Sequence, residues 1–204
     1  MDSNHVDTVT EEKIGTVWNT HVVLKAYVDE SAHVAAGLCL VGVAVLDKTI
    51  EEEVLQDLQK ALPRGAKRLH WNKDGAAVRS RVVEILAERT HHCRVYLSYF
   101  DDSKRSEKAR DACLAHMFAD MGGRPYGEII LDQRTKHQDT RDLVAWTNLC
   151  VRLSLPHPPV VRHDGTTTEP LLWLADALAG AVGEHLVKGD DTYVRALAHK
   201  LEIV

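Results

Sequence analysis

The chain is poor in the features that would assign it quickly. It has four cysteines in 204 residues, Cys39, Cys93, Cys113 and Cys150, all far apart. No CxxC pair and no Cys-His pair at zinc-finger spacing occurs. That excludes the usual zinc modules, makes a disulfide framework unexpected, and points to a reducing cytoplasm. No long hydrophobic run is present. The longest, Leu38 to Leu46, falls short of the ~20 residues a membrane helix requires, so no membrane association is expected. Met1 to Lys13 is polar and acidic, unlike a signal peptide. There is no excess of positive charge: the net charge of −5 argues against a broad basic coat, though not against a local basic groove. A Gly-rich phosphate loop, a dinucleotide fingerprint and Gly-x-Ser-x-Gly are all missing, which argues against nucleotide-loop enzymes and the usual serine hydrolases. No internal repeat or low-complexity segment appears.

What is present suits a globular α/β domain. Hydrophobic residues make up 45% and charged residues 27%, enough for a sizeable core. Residues 1–18 read as a polar tail and 19–204 as a single domain. His21–Val28 reads as a strand ended by Asp29-Glu30-Ser31. Gly37–Leu46 is apolar throughout, as in a central strand covered on both faces, and a short connection makes the two a hairpin. Further strands are expected at Arg68–Trp71, His92–Phe100 and Gly127–Asp132, with an edge strand beginning at Val160-Val161. Helices are expected at Thr49–Leu62, Asp74–Arg89, Ser103–Met121, Asp139–Leu153 and Pro170–Val187, with a helical tail at Asp191–Leu201. Thr49, and Thr168 or Glu169, are candidate caps. In the fourth helix Leu143, Trp146, Leu149 and Cys150 or Leu153 are expected to face inward. Two early strands followed by alternating strands and helices suit a mixed sheet flanked by helices.

Two strands end in a carboxylate, at Asp29 and Asp132. Ligands of α/β sheets gather at the carboxyl ends of strands. If the two strands are parallel neighbours, the aspartates meet and repel unless a proton or cation joins them. A hard ion such as Mg²⁺ takes oxygen ligands and suits the pair. Asp176 lies within the apolar helix Leu171–Gly180, where a charge needs a partner to offset desolvation. Ala175, Ala177, Ala179, Gly180, Ala181 and Gly183 would let that helix approach the sheet closely. Each residue also has a plainer reading. A lone strand-end Asp is commonly a turn former. Asp176 can pair with an arginine, and His70-Trp71 can be a packed strand end. His137 and His163 read as solvated loop residues. His91-His92 reads as a strand start with no role, and Lys104-Arg105, Lys108 and Arg110 as a solvated helix face.

Three segments together resemble a bacterial family called domain of unknown function 3800. Tyr27-Val28-Asp29-Glu30-Ser31 resembles its opening Tyr-x-Asp-Glu-Ser-Gly signature. Ile130-Leu131-Asp132-Gln133-Arg134 is similar to its middle strand, and Leu174–Gly180 to its C-terminal Gln-Leu-Ala-Asp-x-x-Ala-Gly helix. The resemblance spans roughly residues 23–188 and implies a ribonuclease H-like fold. It further implies Mg²⁺ or Mn²⁺ held by Asp29, Asp132 and Asp176 for phosphodiester hydrolysis by a two-metal site, with RNA or DNA as partner. Glu30 is the candidate for a further catalytic carboxylate, with Glu84 and Glu88 as alternatives. Lys73 and Arg134, with Lys136 and Arg141, are candidate phosphate contacts. The chain departs from the family at Ala32, where the signature has Gly, and at Trp173, where the helix motif has Gln. A non-catalytic module binding nucleic acid or protein, or a hydrolase of small phosphoesters, are the competing expectations.

Overall fold

The computed structural model describes residues 23–204. The expected polar tail and the first two residues of the expected opening strand lie outside that range. Strand β1 (Leu24–His33) forms a hairpin with β2 (Leu38–Asp47), through a short turn closed by Gly37 at φ +61. Helices α1 (Glu51–Ala61) and α2 (Ala76–Arg89) follow, then β3 (His92–Tyr99), α3 (Ser106–Met121) and β4 (Tyr126–Asp132). Helix α4 (Lys136–Leu153), β5 (Val160–Asp164), α5 (Leu172–Lys188), α6 (Thr192–Leu197) and β6 (Leu201–Ile203) complete the order. The six strands form one mixed sheet in the order β5-β4-β1-β2-β3-β6. β2 runs antiparallel to both its neighbours, while β4 is parallel to β1 and β5 to β4. Among the described residues no helix is long and apolar enough to cross a membrane.

Alternation along the strands splits the core into two layers. Tyr27 of β1, Leu40 and Ala44 of β2 and Ile130 of β4 point to one face and pack with α1, α2, α5 and α6. Ala26 and Val28, Val41 and Val43, and Ile129 and Leu131 point to the other, against α3 and α4. Nine of the ten residues of β2 are buried, as expected of a strand covered on both faces. Helix α5 lies close on the sheet because small residues meet there. A Cβ added to Gly42 would stand 2.8 Å from the Ala175 carbonyl oxygen, and one on Gly180 would stand 2.3 Å from the Trp71 ring.

Several expectations need correction. β1 does not end at Asp29: it runs on to His33 in register with β2, and only its pairing with β4 stops, at Val28–Leu131. Ala32 therefore sits in extended backbone, and the turn that needs a glycine falls at Gly37 instead. Residues 68–71 form no strand but lie in the α1–α2 loop. The tail is a six-residue helix followed by β6, which pairs parallel with β3. Thr49 caps nothing. Its amide donates to Asp47 Oδ1, which caps a short 3-10 turn at Lys48–Ile50. Helix α4 begins earlier than expected, through a capping box of Thr135 and Gln138. On α4 the buried residues are Asp142, Trp146 and Leu149, whereas Leu143 and Leu153 are exposed. Neither Thr168 nor Glu169 caps α5, whose N-cap is Leu171.

Candidate functional site

Asp29 and Asp132 reach the same end of the sheet because β1 and β4 are parallel and Val28 pairs with Leu131. Both lie one step past those paired residues. By alternation they point to the face that carries Tyr27 and Ile130, the face covered by α5. Asp176 comes down from α5. The three carboxylates line one pocket of about 300 Å³, together with Glu30, Ser31 and Ala32 of β1 and with Arg68, Leu69, His70, Asn72, Thr166 and Trp173.

Burial dominates the electrostatics of this pocket. Asp29 is held well above the usual carboxylate range, first by burial and then by the charges of Asp176 and Asp132. The amide of Glu30 donates to Asp29 Oδ1 at 2.7 Å and offsets part of that. Asp132 is raised, first by burial and also by Asp176, against the Gln133 amide and Arg68. Asp176 is raised by burial against a hydrogen bond from the main-chain amide of Trp71, 3.0 Å from Oδ2. His70 Nδ1 stands 3.6 Å from the same oxygen and is buried without a hydrogen-bond partner. Among the described residues no group of three His, Cys, Asp or Glu side chains is arranged to hold one ion. The carboxylates share a pocket without forming a closed set of ligands.

The segment that supplies the Trp71 amide is anchored from three sides. The Trp71 ring is buried and packs edge-on to Tyr193 at 4.8 Å. Arg79 lies over the ring, donates to the Trp71 carbonyl at 2.9 Å, and reaches Glu184 of α5 at 2.9 Å. Asp74 accepts the His70 amide at 2.7 Å.

Glu30 is placed differently from the three aspartates. Its side chain faces the α3–α4 layer and pairs with Arg110 and with Arg134 Nε. Arg110, expected on a solvated face, is 4% exposed and grips Asp142 through two hydrogen bonds of 2.9 Å. His163, expected in a polar loop, lies in β5 with Nε2 3.1 Å from Asp142 Oδ2. Burial pushes the Asp142 carboxyl up, but His163 and Arg110 outweigh it and hold it at about 2. Arg134 is held by Glu30 and Glu107, and Arg141 by Asp111. Lys73 and Lys136 are exposed. Glu84 and Glu88 are exposed on α2 and do not line the pocket. His92, assigned no role in the sequence, meets the Tyr126 hydroxyl at 2.8 Å.

Sequence reasoning passed over Arg68, Asn72 and Thr166 in the pocket, and the Arg110–Asp142–His163 group behind it. A signal for the second was present. Asp142 shares a helix face with Trp146 and Leu149, so an acid stood where the pattern asked for an apolar residue. Compared with known proteins, the chain matches no family model, and no curated protein matches it at a significant level.

Proposed function

We propose that the protein is a ribonuclease H-like, divalent-metal-dependent phosphodiesterase of the cytoplasm that acts on nucleic acid. One observation carries this reading: Asp29, Asp132 and Asp176 arrive from β1, β4 and α5 in a single pocket, with their ionised forms disfavoured by burial. Those are the first strand, a later strand and the C-terminal helix that the family resemblance implies. Three desolvated carboxylates call for neutralisation, and an all-oxygen donor set suits Mg²⁺ or Mn²⁺. Such ions would supply Lewis-acid charge for phosphodiester hydrolysis.

The chain's own residues account for the rest. Asp29 is fixed by the Glu30 amide, and Asp176 by the Trp71 amide. Arg68 lines the pocket as its cation and favours the ionised forms of Asp132 and Asp176, which suits it to an incoming phosphate. Glu30 acts from behind, holding Arg110 and Arg134 against the strand that carries Asp29.

The test is Mn²⁺-dependent cleavage of labelled RNA and DNA by wild type, Asp29→Asn and Asp176→Asn. Both variants are expected to retain the circular-dichroism spectrum of the wild type and to lose ~100-fold or more of its rate. Cleavage that survives both changes would sink the proposal. Binding of nucleic acid by a wild type that never cleaves it would leave a non-catalytic module instead.

A further inference from the structure

The loop between α1 and α2, residues 62–75, rims the carboxylate pocket. It carries Arg64, Lys67, Arg68 and Lys73 against a single acid, Asp74, in a chain whose net charge is −5. All four cations are exposed. Elsewhere the arginines other than Arg152 are occupied: Arg79, Arg81, Arg89, Arg94, Arg105 and Arg110 are ion-paired, as are five more. Among the described residues the arginines without an ion pair are Arg64, Arg68 and Arg152, and two of the three lie in this loop. Lys67 and Lys73 make no ion pair among the described residues either. A solvated charged face usually mixes signs, as α2 does with Arg81 and Glu84. This loop does not.

The end of the loop next to the pocket is also fixed in position. It is pinned by Trp71 against α5, by the Trp71 amide on Asp176, and by Arg79. The other end is a turn in which the Ala66 amide donates to the Pro63 carbonyl at 2.9 Å. Arg68 lines the pocket itself, and Lys67 and Arg64 precede it within the same short segment. The loop's one tryptophan, Trp71, is buried, and no Phe or Tyr stands in the loop to offer a base a stacking surface.

The geometry points to the α1–α2 loop as a clamp for the phosphate backbone of a nucleic acid strand, gripping phosphates beyond the one in the pocket without reading sequence. This deepens the phosphodiesterase reading and rests on it. The acidic pocket repels a polyanion, and the loop supplies the positive charge that brings one to it.

The experiment separates the clamp from the catalytic site. Arg64 and Lys67 lie outside the pocket, so Arg64→Glu/Lys67→Glu leaves its lining intact. Fluorescence anisotropy in EDTA reads binding of labelled single-stranded RNA and DNA, in separate arms, across a salt series. Hydrolysis of bis(p-nitrophenyl) phosphate with Mn²⁺ reads the pocket alone, and thermal melting confirms the fold. The double variant is expected to bind at least one of the two nucleic acids about tenfold more weakly, with a salt slope smaller by about 1.4 for two lost phosphate contacts. Its hydrolysis of the small diester should match the wild type. Equal binding and equal slopes in both arms would overturn the clamp, as would a wild type that binds neither nucleic acid at low salt. Loss of binding in the variant, beside a wild type that never hydrolyses the diester, would uphold the clamp and count against the proposed catalysis.

Discussion

Asp29 is disfavoured as an anion first by burial and then by the charges of Asp176, Asp132 and Glu30. A group whose folded pKa is raised contributes stability below its unfolded pKa, and that contribution is lost as pH rises through the folded value. The metal-free protein should therefore carry a penalty at pH 8 that Asp29→Asn removes. Urea unfolding is expected to show the variant more stable there by ~1–2 kcal/mol, with the gap closing toward acid pH. On the proposed metal binding, Mn²⁺ should reverse the order, because the wild type then gains more from the ion than the variant does. A variant less stable than wild type at pH 8 in EDTA would contradict this. The three aspartates were legible in the sequence because each broke a local pattern, two at the ends of apolar strand segments and one inside an apolar helix. Arg110 was not legible. It follows Lys104, Arg105 and Lys108 in a run that reads as solvated, and only β1 and α4 coming together bury it between Glu30 and Asp142.

Among the elements, α5 and the loop that follows α1 set the shape of the pocket jointly. Gly180 lets the Trp71 ring lie against the helix backbone. Gly180→Ala should push that ring outward and cost about 1–3 kcal/mol, measurable by urea unfolding. Mn²⁺-dependent cleavage should fall with it, since Trp71 carries the amide that holds Asp176. Unchanged stability would show that the loop adjusts freely. Leu69 and Trp71 also explain a misreading. They are buried and alternate with Arg68 and His70, which is the period of a strand, yet the alternation arises from packing on α5 rather than from strand pairing. β6 escaped notice for the opposite reason. Three residues are too short to show any period, and only β3 beside them makes them a strand. The strands β1 to β4 were legible because each carries its own apolar run or alternation, a local pattern that can be read without knowing its partners.

Across the whole molecule, the sheet separates two kinds of electrostatics. The α5 face holds three carboxylates in one pocket with Arg68 alone as a permanent cation, and the α3–α4 face holds a closed group in which Asp142 is matched by Arg110 and His163. The Asp142 carboxyl is held at about 2, below its unfolded value near 3.9. Its contribution is present above the unfolded pKa and lost as pH falls through about 2. Asp142→Asn should thus destabilise the protein at pH 7, by about 1–2 kcal/mol from this source once solvent screening is allowed for. The difference from wild type should shrink between pH 4 and pH 2 in chemical unfolding. A difference that stays constant over that range would mean that Asp142 acts through packing rather than charge. The mixed sheet and its flanking helices could be read from the order of apolar segments. Which charges would face each other across it could not, because strand order is a property of the assembled chain.

The bond that holds Asp176 comes from the main chain of Trp71. Every amino acid except proline carries that amide. The information for this contact is therefore stored in the path of the loop, not in the identity of a residue. Substitution at position 71 can alter it only by moving the backbone. Relatives of this chain could differ at that position and still hold the aspartate in the same way.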